Sequence, residues 1–412
     1  MNIRFHQILA FFIVTLFLDI EYDTAILRVR PIDFFLAFVL MFKILESINL
    51  KILKSTVAIG LYIFLGFIII NGFTKVASAN VIKEGIQLLE YLFLLHLIAF
   101  EINNQEKRSE FLIILFWGSG LVAFYSVAYH ASLGIYSGYK DLDSPKHSFA
   151  FFSLLALIRY FTQVSRKSSN FFILMASLLI TFLGGERKGW LGLFLASSVF
   201  LLVQTKSKQK FRRITSIVAT FIFVVFILVS YIATNTNFQY LNKQIGTIAD
   251  VEVFFSDKDN VYASRSDAER IFMFNYSIQL FDKNPLLGIG VDEFSVYVKK
   301  ATFGEITHDA HNFYLKELVE NGIIGLTLLL IAMFIITVNI AKLTKNKDEA
   351  IADSAKIILA LFVLGSIVNL FLAGKALTWL YLILPAGLII GLNKEVEFQK
   401  RVTKHAAVSF NN

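Results

Sequence analysis

The chain contains no cysteine, so disulfide frameworks, thiol nucleophiles and thiolate metal sites are all excluded. Proline is almost as scarce, with four among 412 residues, and few segments are therefore forced to break a helix. Charge is thin as well. Asp, Glu, Lys and Arg together fill 17% of positions against 56% for hydrophobic residues. With a mean hydropathy of +0.65, that balance excludes a soluble globule. No internal repeat, low-complexity tract or separate soluble domain interrupts the pattern.

What the chain has in quantity is phenylalanine, 43 residues of it, set in long apolar runs. Runs near the roughly 20 residues that cross a bilayer fall around 8–20, 32–49, 55–72, 84–100, 111–133, 148–164, 170–185, 188–203, 214–233, 321–341, 355–372 and 376–392. The expected fold is an all-α integral membrane protein of about 12 transmembrane helices. Residues 1–233 would hold the first nine, 234–312 one large external loop, and 313–412 the last three with a tail. The first run ends in Asp19-Ile20-Glu21 without a small-residue cleavage site, which predicts a retained anchor rather than a removed signal peptide.

The basic residues choose the orientation. The stretches 1–7, 43–54, 101–110, 165–169, 204–213, 342–354 and 393–412 carry 20 Lys or Arg in 77 residues, while 234–310, of equal length, carries seven against eleven Asp or Glu. Short cytoplasmic connections are the ones enriched in Lys and Arg. Both termini are thus expected in the cytoplasm and the long loop outside. The net charge of +8 follows from this asymmetry, and a nucleic-acid partner is not needed to explain it. Within the loop, Ile271, Phe274, Ile278 and Phe281 recur at helical spacing with Met273, Tyr276 and Leu280 beside them. That pattern predicts an amphipathic helix over 267–282, lying at the membrane surface or roofing a cavity. Asn284-Pro285-Leu286-Leu287-Gly288-Ile289-Gly290 then reads as a tight turn.

At the end of the loop stands His311-Asn312, nine residues ahead of Gly322-Ile323-Ile324-Gly325-Leu326. Imidazole is the side chain whose ordinary pKa, about 6.5, lets it take and return a proton near neutrality. Upstream lie two arginines with different settings: Arg187 in Glu186-Arg187-Lys188-Gly189-Trp190 at the head of a span, and Arg270 near the start of the amphipathic helix.

Taken in order, the Arg187 motif, Arg270, the 284–290 turn and the His311-to-Leu326 signature resemble the O-antigen ligase and polymerase superfamily. The resemblance covers roughly 170–341, and Glu186 departs from the small polar residue usual before that arginine. It implies a GT-C-like membrane enzyme of the bacterial inner membrane, transferring a glycan on its outer face. The donor would be a glycan on undecaprenyl pyrophosphate. The acceptor would be a sugar hydroxyl of a lipid A-core or of another lipid-linked repeat unit. Arg187 and Arg270, with Arg265 and Lys188 as weaker candidates, would hold the pyrophosphate, because a guanidinium grips phosphate oxygens bidentately and stays charged. His311 would act as general base on the acceptor hydroxyl, with Asn312 orienting it. Neither cofactor nor metal is implied.

Each of these residues has a plainer reading. His311 could cap a helix or fill an interface, Arg187 and Lys188 could snorkel to the interface, and Arg270 could simply pair with Asp267 or Glu269. His308 and His311 have a spacing that suits a metal but lack a third ligand. In the first half, Lys83, Gln87 and Glu90 share a helix face beside Glu84, with His96 further along the same span and Arg159 in the sixth. Ionisable groups inside a membrane suggest a functional site, and for Glu90 the plainer reading is a buried structural pair. They also fit a secondary transporter, the rival class, although no repeated broken-helix pattern accompanies them.

Overall fold

The computed structural model of the chain describes residues 4–18, 22–23, 28–47, 54–75, 79–132, 147–163, 167–183, 187–204, 265–306, 310–370 and 376–409. The described residues are almost wholly helical. In order they form α1 (Phe5–Thr15), α2 (Pro31–Ser47), α3 (Thr56–Lys75), α4 (Ala79–Glu101), α5 (Gln105–Ser132), α6 (His147–Thr162), α7 (Lys167–Leu183), α8 (Arg187–Gln204), α9 (Arg265–Lys283), α10 (Phe294–Ala301), α11 (Phe313–Leu343), α12 (Glu349–Val368) and α13 (Ala376–Ser409). A two-residue antiparallel pair, β1 (Tyr22–Asp23) with β2 (Arg28–Val29), links α1 to α2.

Every apolar run expected from the sequence overlaps one of these helices except 214–233, which lies outside the described residues. Among the described residues, five helices, α3, α5, α11, α12 and α13, contain a stretch long and apolar enough to cross a membrane. Helix is what such sequences must form, because hydrocarbon offers no partner to an open backbone N–H or C=O. Polar side chains inside the runs bond back onto their own helix. Ser366 Oγ donates to the Phe362 carbonyl at 2.8 Å and Asn339 Nδ2 to that of Ile335 at 2.8 Å.

The chain divides into two units, residues 1–118 with 269–412, and residues 119–268. In the first, α13 packs along α4 and α12, while α11 packs along α3. Small residues permit the close approach: a Cβ at Gly391 would stand 2.5 Å from the Ile102 carbonyl oxygen, and one at Gly387 would stand 2.7 Å from Ile98 Cγ2. In the second unit α6 packs against α7 and α8. There the Thr181 hydroxyl donates to the Phe149 carbonyl at 2.9 Å, and Ser153 Oγ lies 2.7 Å from the same hydroxyl. A wholly apolar groove of about 500 Å³ runs between α1 and α2, lined by Phe5, Phe12, Phe34, Phe35 and Phe38 among others. It carries no reactive group.

Candidate functional site

The 284–290 turn and the His311 signature, read as separate motifs in the sequence, form one structure. α11 is not continuous. At Gly322 the backbone takes φ +65° and ψ −170°, splitting it into a first arm, 313–321, and a second arm, 323–343. A broken helix exposes carbonyls at one end and amides at the other. The turn satisfies both sets. The amides of Ile289 and Gly290 donate to the carbonyls of Val319 and Glu320 at 3.0 and 2.9 Å, capping the first arm. The carbonyls of Pro285 and Leu286 accept from the amides of Ile323 and Ile324 at 2.9 and 3.4 Å, starting the second.

The two glycines at this junction permit backbone to meet backbone. A Cβ at Gly322 would lie 2.2 Å from the Leu286 carbonyl oxygen, and one at Gly288 (φ +68°) would lie 2.3 Å from that of Glu320. Asn71 of α3 closes the joint, its Nδ2 donating to the Leu287 carbonyl at 2.8 Å and to Asn321 Oδ1 at 3.2 Å.

The first arm buries charge. Lys316, Glu317, Glu320 and Asn321 are all buried. Glu320, 1% exposed, accepts the backbone amides of Asp292 at 3.0 Å and Phe294 at 3.1 Å, one on each carboxylate oxygen. Lys316 Nζ stands 3.4 Å from Asp292 Oδ1 and 3.8 Å from Glu320 Oε1. Asn321 Nδ2 donates to Glu317 Oε2 at 3.0 Å. None of these side chains was singled out from sequence. Their signal was present as charge in the helix entering a span, where a plain interfacial reading was equally open.

His311 and Asn312 open the first arm. Asn312 is its N-cap, in extended conformation, and its Oδ1 accepts the Leu315 amide at 3.0 Å, which satisfies one donor at the helix start. His311 is exposed and holds a left-handed φ of +51°, a conformation in which His is enriched among non-glycine residues. Beneath it, the Phe313 amide donates to the Asn369 carbonyl at 2.9 Å. The Phe313 ring meets Trp379 edge-on at 5.1 Å, and Trp379 in turn stacks on Tyr91 at 6.1 Å.

Tyr91 leads to a cation that the sequence reading passed over. Arg30, buried at the start of α2, donates to Tyr91 Oη at 2.6 Å and pairs with Glu90 at 3.1 Å and Asp33 at 3.2 Å. Glu90 thus has the structural partner anticipated for it, 60 positions away in the chain, a separation at which no periodicity operates. His96 bonds to Tyr62, and Arg159 Nε donates to Asn170 Oδ1 at 3.3 Å in the second unit.

α9 forms over the stretch expected to be amphipathic, and it has two apolar flanks. Met273 and Leu280 enter a small core with Ile289, Phe294, Val298, Ile306, Ala310 and Val319, while Ile271, Phe274 and Ile278 stay exposed. Periodicity found both flanks without choosing between them. This core joins Arg270 to His311: Met273 lies one helical turn after Arg270, and Ala310 immediately precedes His311. Arg270 itself is exposed. Arg265 is the first residue of α9 and Arg187 the first of α8. Three residues later Trp190 Nε1 donates to the Thr181 carbonyl at 2.7 Å, which ties the head of α8 to α7. The side chains of Arg187, Lys188 and Arg265, and the whole of His308, lie outside the described residues. Among the described residues no three His, Asp or Glu side chains gather as metal ligands.

Compared with known families, residues 171–330 match the one described as O-Antigen ligase, over the same part of the chain as the motif resemblance. No curated protein matches the chain.

Proposed function

From that family match we propose that the chain is a membrane glycosyltransferase that moves a glycan from undecaprenyl pyrophosphate to a sugar hydroxyl, in the manner of an O-antigen ligase. One observation carries the reading. Within the matched region, an exposed His311 stands at the mouth of a membrane helix, on the same packed body as Arg270.

The acceptor hydroxyl oxygen attacks the anomeric carbon of the donor sugar while its proton passes to the His311 imidazole. The bond from that carbon to the pyrophosphate oxygen breaks, and the electron pair leaves with the lipid pyrophosphate. Such a leaving group needs fixed positive charge more than a proton donor. Arg270 and Arg187 supply it, with Arg265 and Lys188 as the weaker candidates. Asn312, by capping the first arm, fixes the backbone from which His311 projects. The reaction takes place at the outer face of the bacterial inner membrane, in a GT-C-like fold of about twelve spans with both termini cytoplasmic. It calls for no cofactor, metal or nucleic acid.

A repeat-unit polymerase uses the same donor, groups and steps and differs only in its acceptor. The ligase-like spacing around His311 favours the ligase. The deciding experiment places purified protein in vesicles with undecaprenyl-pyrophosphate-linked glycan and offers lipid A-core or a second lipid-linked unit. A single transfer to lipid A-core supports the ligase, and a ladder of lengthening lipid-linked chains supports the polymerase. Passage of the lipid-linked glycan across the bilayer with no new glycosidic bond overturns both in favour of a transporter.

A further inference from the structure

We propose that Glu320 and Lys316 are positioning residues of the transfer site, holding the loop that follows α9 against the arm that His311 opens. The proposal rests on the glycosyltransferase reading. The backbone bonds of the 284–290 turn fix that turn to the helix break, but they end at Gly290. Beyond it, at Asp292 to Phe294, the loop presents two amides to the first arm, and both are taken by one buried carboxylate, that of Glu320.

The chemistry of that contact is specific. The two amides reach different oxygens of the carboxylate, and a carboxamide in its place would turn an NH2 toward one of them. The charge is buried, and a buried charge is tolerated when hydrogen-bonded and paired. Lys316, one turn earlier on the same arm, faces both Glu320 and Asp292. Asp292 holds a left-handed φ of +57°, so the loop keeps its unusual path only while these contacts persist. Phe294, whose amide is one of the two, is fully buried in the core shared with Met273 and Ala310. Loosening the contact therefore disturbs the Phe294 side of the core that seats α9, and Arg270 with it, against the arm bearing His311.

The absence of native cysteine makes the test direct. Spin labels on cysteines introduced at the exposed positions Ile271 and Ile324 report the distance between α9 and the second arm by pulsed EPR in the full-length protein. In the parent the distance distribution is expected to be narrow. Glu320→Gln should broaden it and lower kcat, counted per donor-binding protein, by about 10–100-fold, with KM for the acceptor within about twofold. Lys316→Gln, which leaves both carboxylate bonds in place, should do the same more weakly and serves if Glu320→Gln does not fold. The double variant should cost less than the sum of the two singles. A narrow distribution in Glu320→Gln, or a broad one with unchanged kcat, overturns the proposal. If the parent transfers no glycan the functional reading fails, and the distances still decide whether the contact holds the loop.

Discussion

The two ends of the first unit handle charge in opposite ways. At the His311 end, buried polar groups bond to backbone, Glu320 to two amides and Asn71 to a carbonyl, and Lys316 is buried between two acids. At the other end charges meet side chain to side chain nearer solvent. Arg4, with its side chain 52% exposed, reaches Glu106 at 2.6 Å, and Glu110 accepts from Gln7 and lies 2.8 Å from His6. His6, Glu101 and Arg108 are buried there, and Arg108 meets side chains alone, Ser354 at 3.0 Å and Glu395 at 2.9 Å. Exposed pairs contribute about 0–1 kcal/mol each and tolerate motion. Buried, backbone-directed charge costs desolvation and gives little net stability, but it fixes geometry. A chain that accepts that cost at one end has something there to hold in place.

The sharpest way to test the contrast is through the reaction itself. Removing a general base costs about 10²–10⁴ in rate. His311→Ala and His311→Gln should both insert and fold yet transfer almost nothing, since glutamine cannot take the proton. Asn312→Ala should do less harm, losing one cap bond at about 1 kcal/mol. A transfer assay with purified protein decides: His311→Gln turning over near the parent rate removes the base from the mechanism.

A weaker but still large effect is expected from the phosphate ligands. Arg187→Ala and Arg270→Ala should each nearly abolish transfer, and Arg→Lys should restore only part of it, because an ammonium cannot make the bidentate contact. Full activity in Arg187→Ala would leave that residue as a snorkelling side chain. The matched pair at the opposite end, Arg4→Ala and Arg4→Lys, should leave transfer unchanged.

How much of this was open to sequence reading depends on the range of the interaction. Helices, the amphipathic α9 and the His311 junction rest on local spacing, and all three were legible. The joining of the 284–290 turn to Gly322 rests on backbone bonds between segments some 35 positions apart, and nothing in either motif names the other. In the sequence Gly322 stands only as one position of the His311-to-Leu326 signature. The Arg30–Glu90 pair was half visible: Glu90 stood out in its span, but its partner sat in a short polar link with no pattern of its own.

Gly322 gives the next prediction. Alanine there meets two costs, a positive-φ, extended-ψ backbone that is essentially confined to glycine, at about 1–3 kcal/mol, and overlap with the Leu286 carbonyl, where overpacking costs about 1–3 kcal/mol. Gly322→Ala should thus lose about 3 kcal/mol in chemical or thermal unfolding in detergent. A loss below 1 kcal/mol would mean that the joint is looser than its contacts suggest.

The smallest effect belongs to the opposite end, at Asp348. It is the N-cap of α12, its Oδ1 accepting the Ala350 and Ile351 amides at 2.9 and 3.3 Å, while Gln399 donates to Oδ2 at 3.1 Å. The Gln399 bond first, and the two amides after it, hold the carboxyl below its ordinary range. A folded-state value lower than the unfolded one means that the ionised form stabilises the fold. That stability is complete above the unfolded pKa, about 3.9, and is lost as pH falls through the lower folded value. Asp348→Ala should therefore cost about 1 kcal/mol at pH 7, the same at pH 5.5, and progressively less below pH 4. Asp348→Asn, which keeps an oxygen for the amides, should recover most of it. Neither should change glycan transfer at neutral pH, because the cap lies at the end where charge does not set the site. Melting curves of parent and variants across that pH range measure the difference. A cost at pH 7 as large as that of Gly322→Ala, or a loss of transfer in Asp348→Asn, would show that the two ends are not divided as argued.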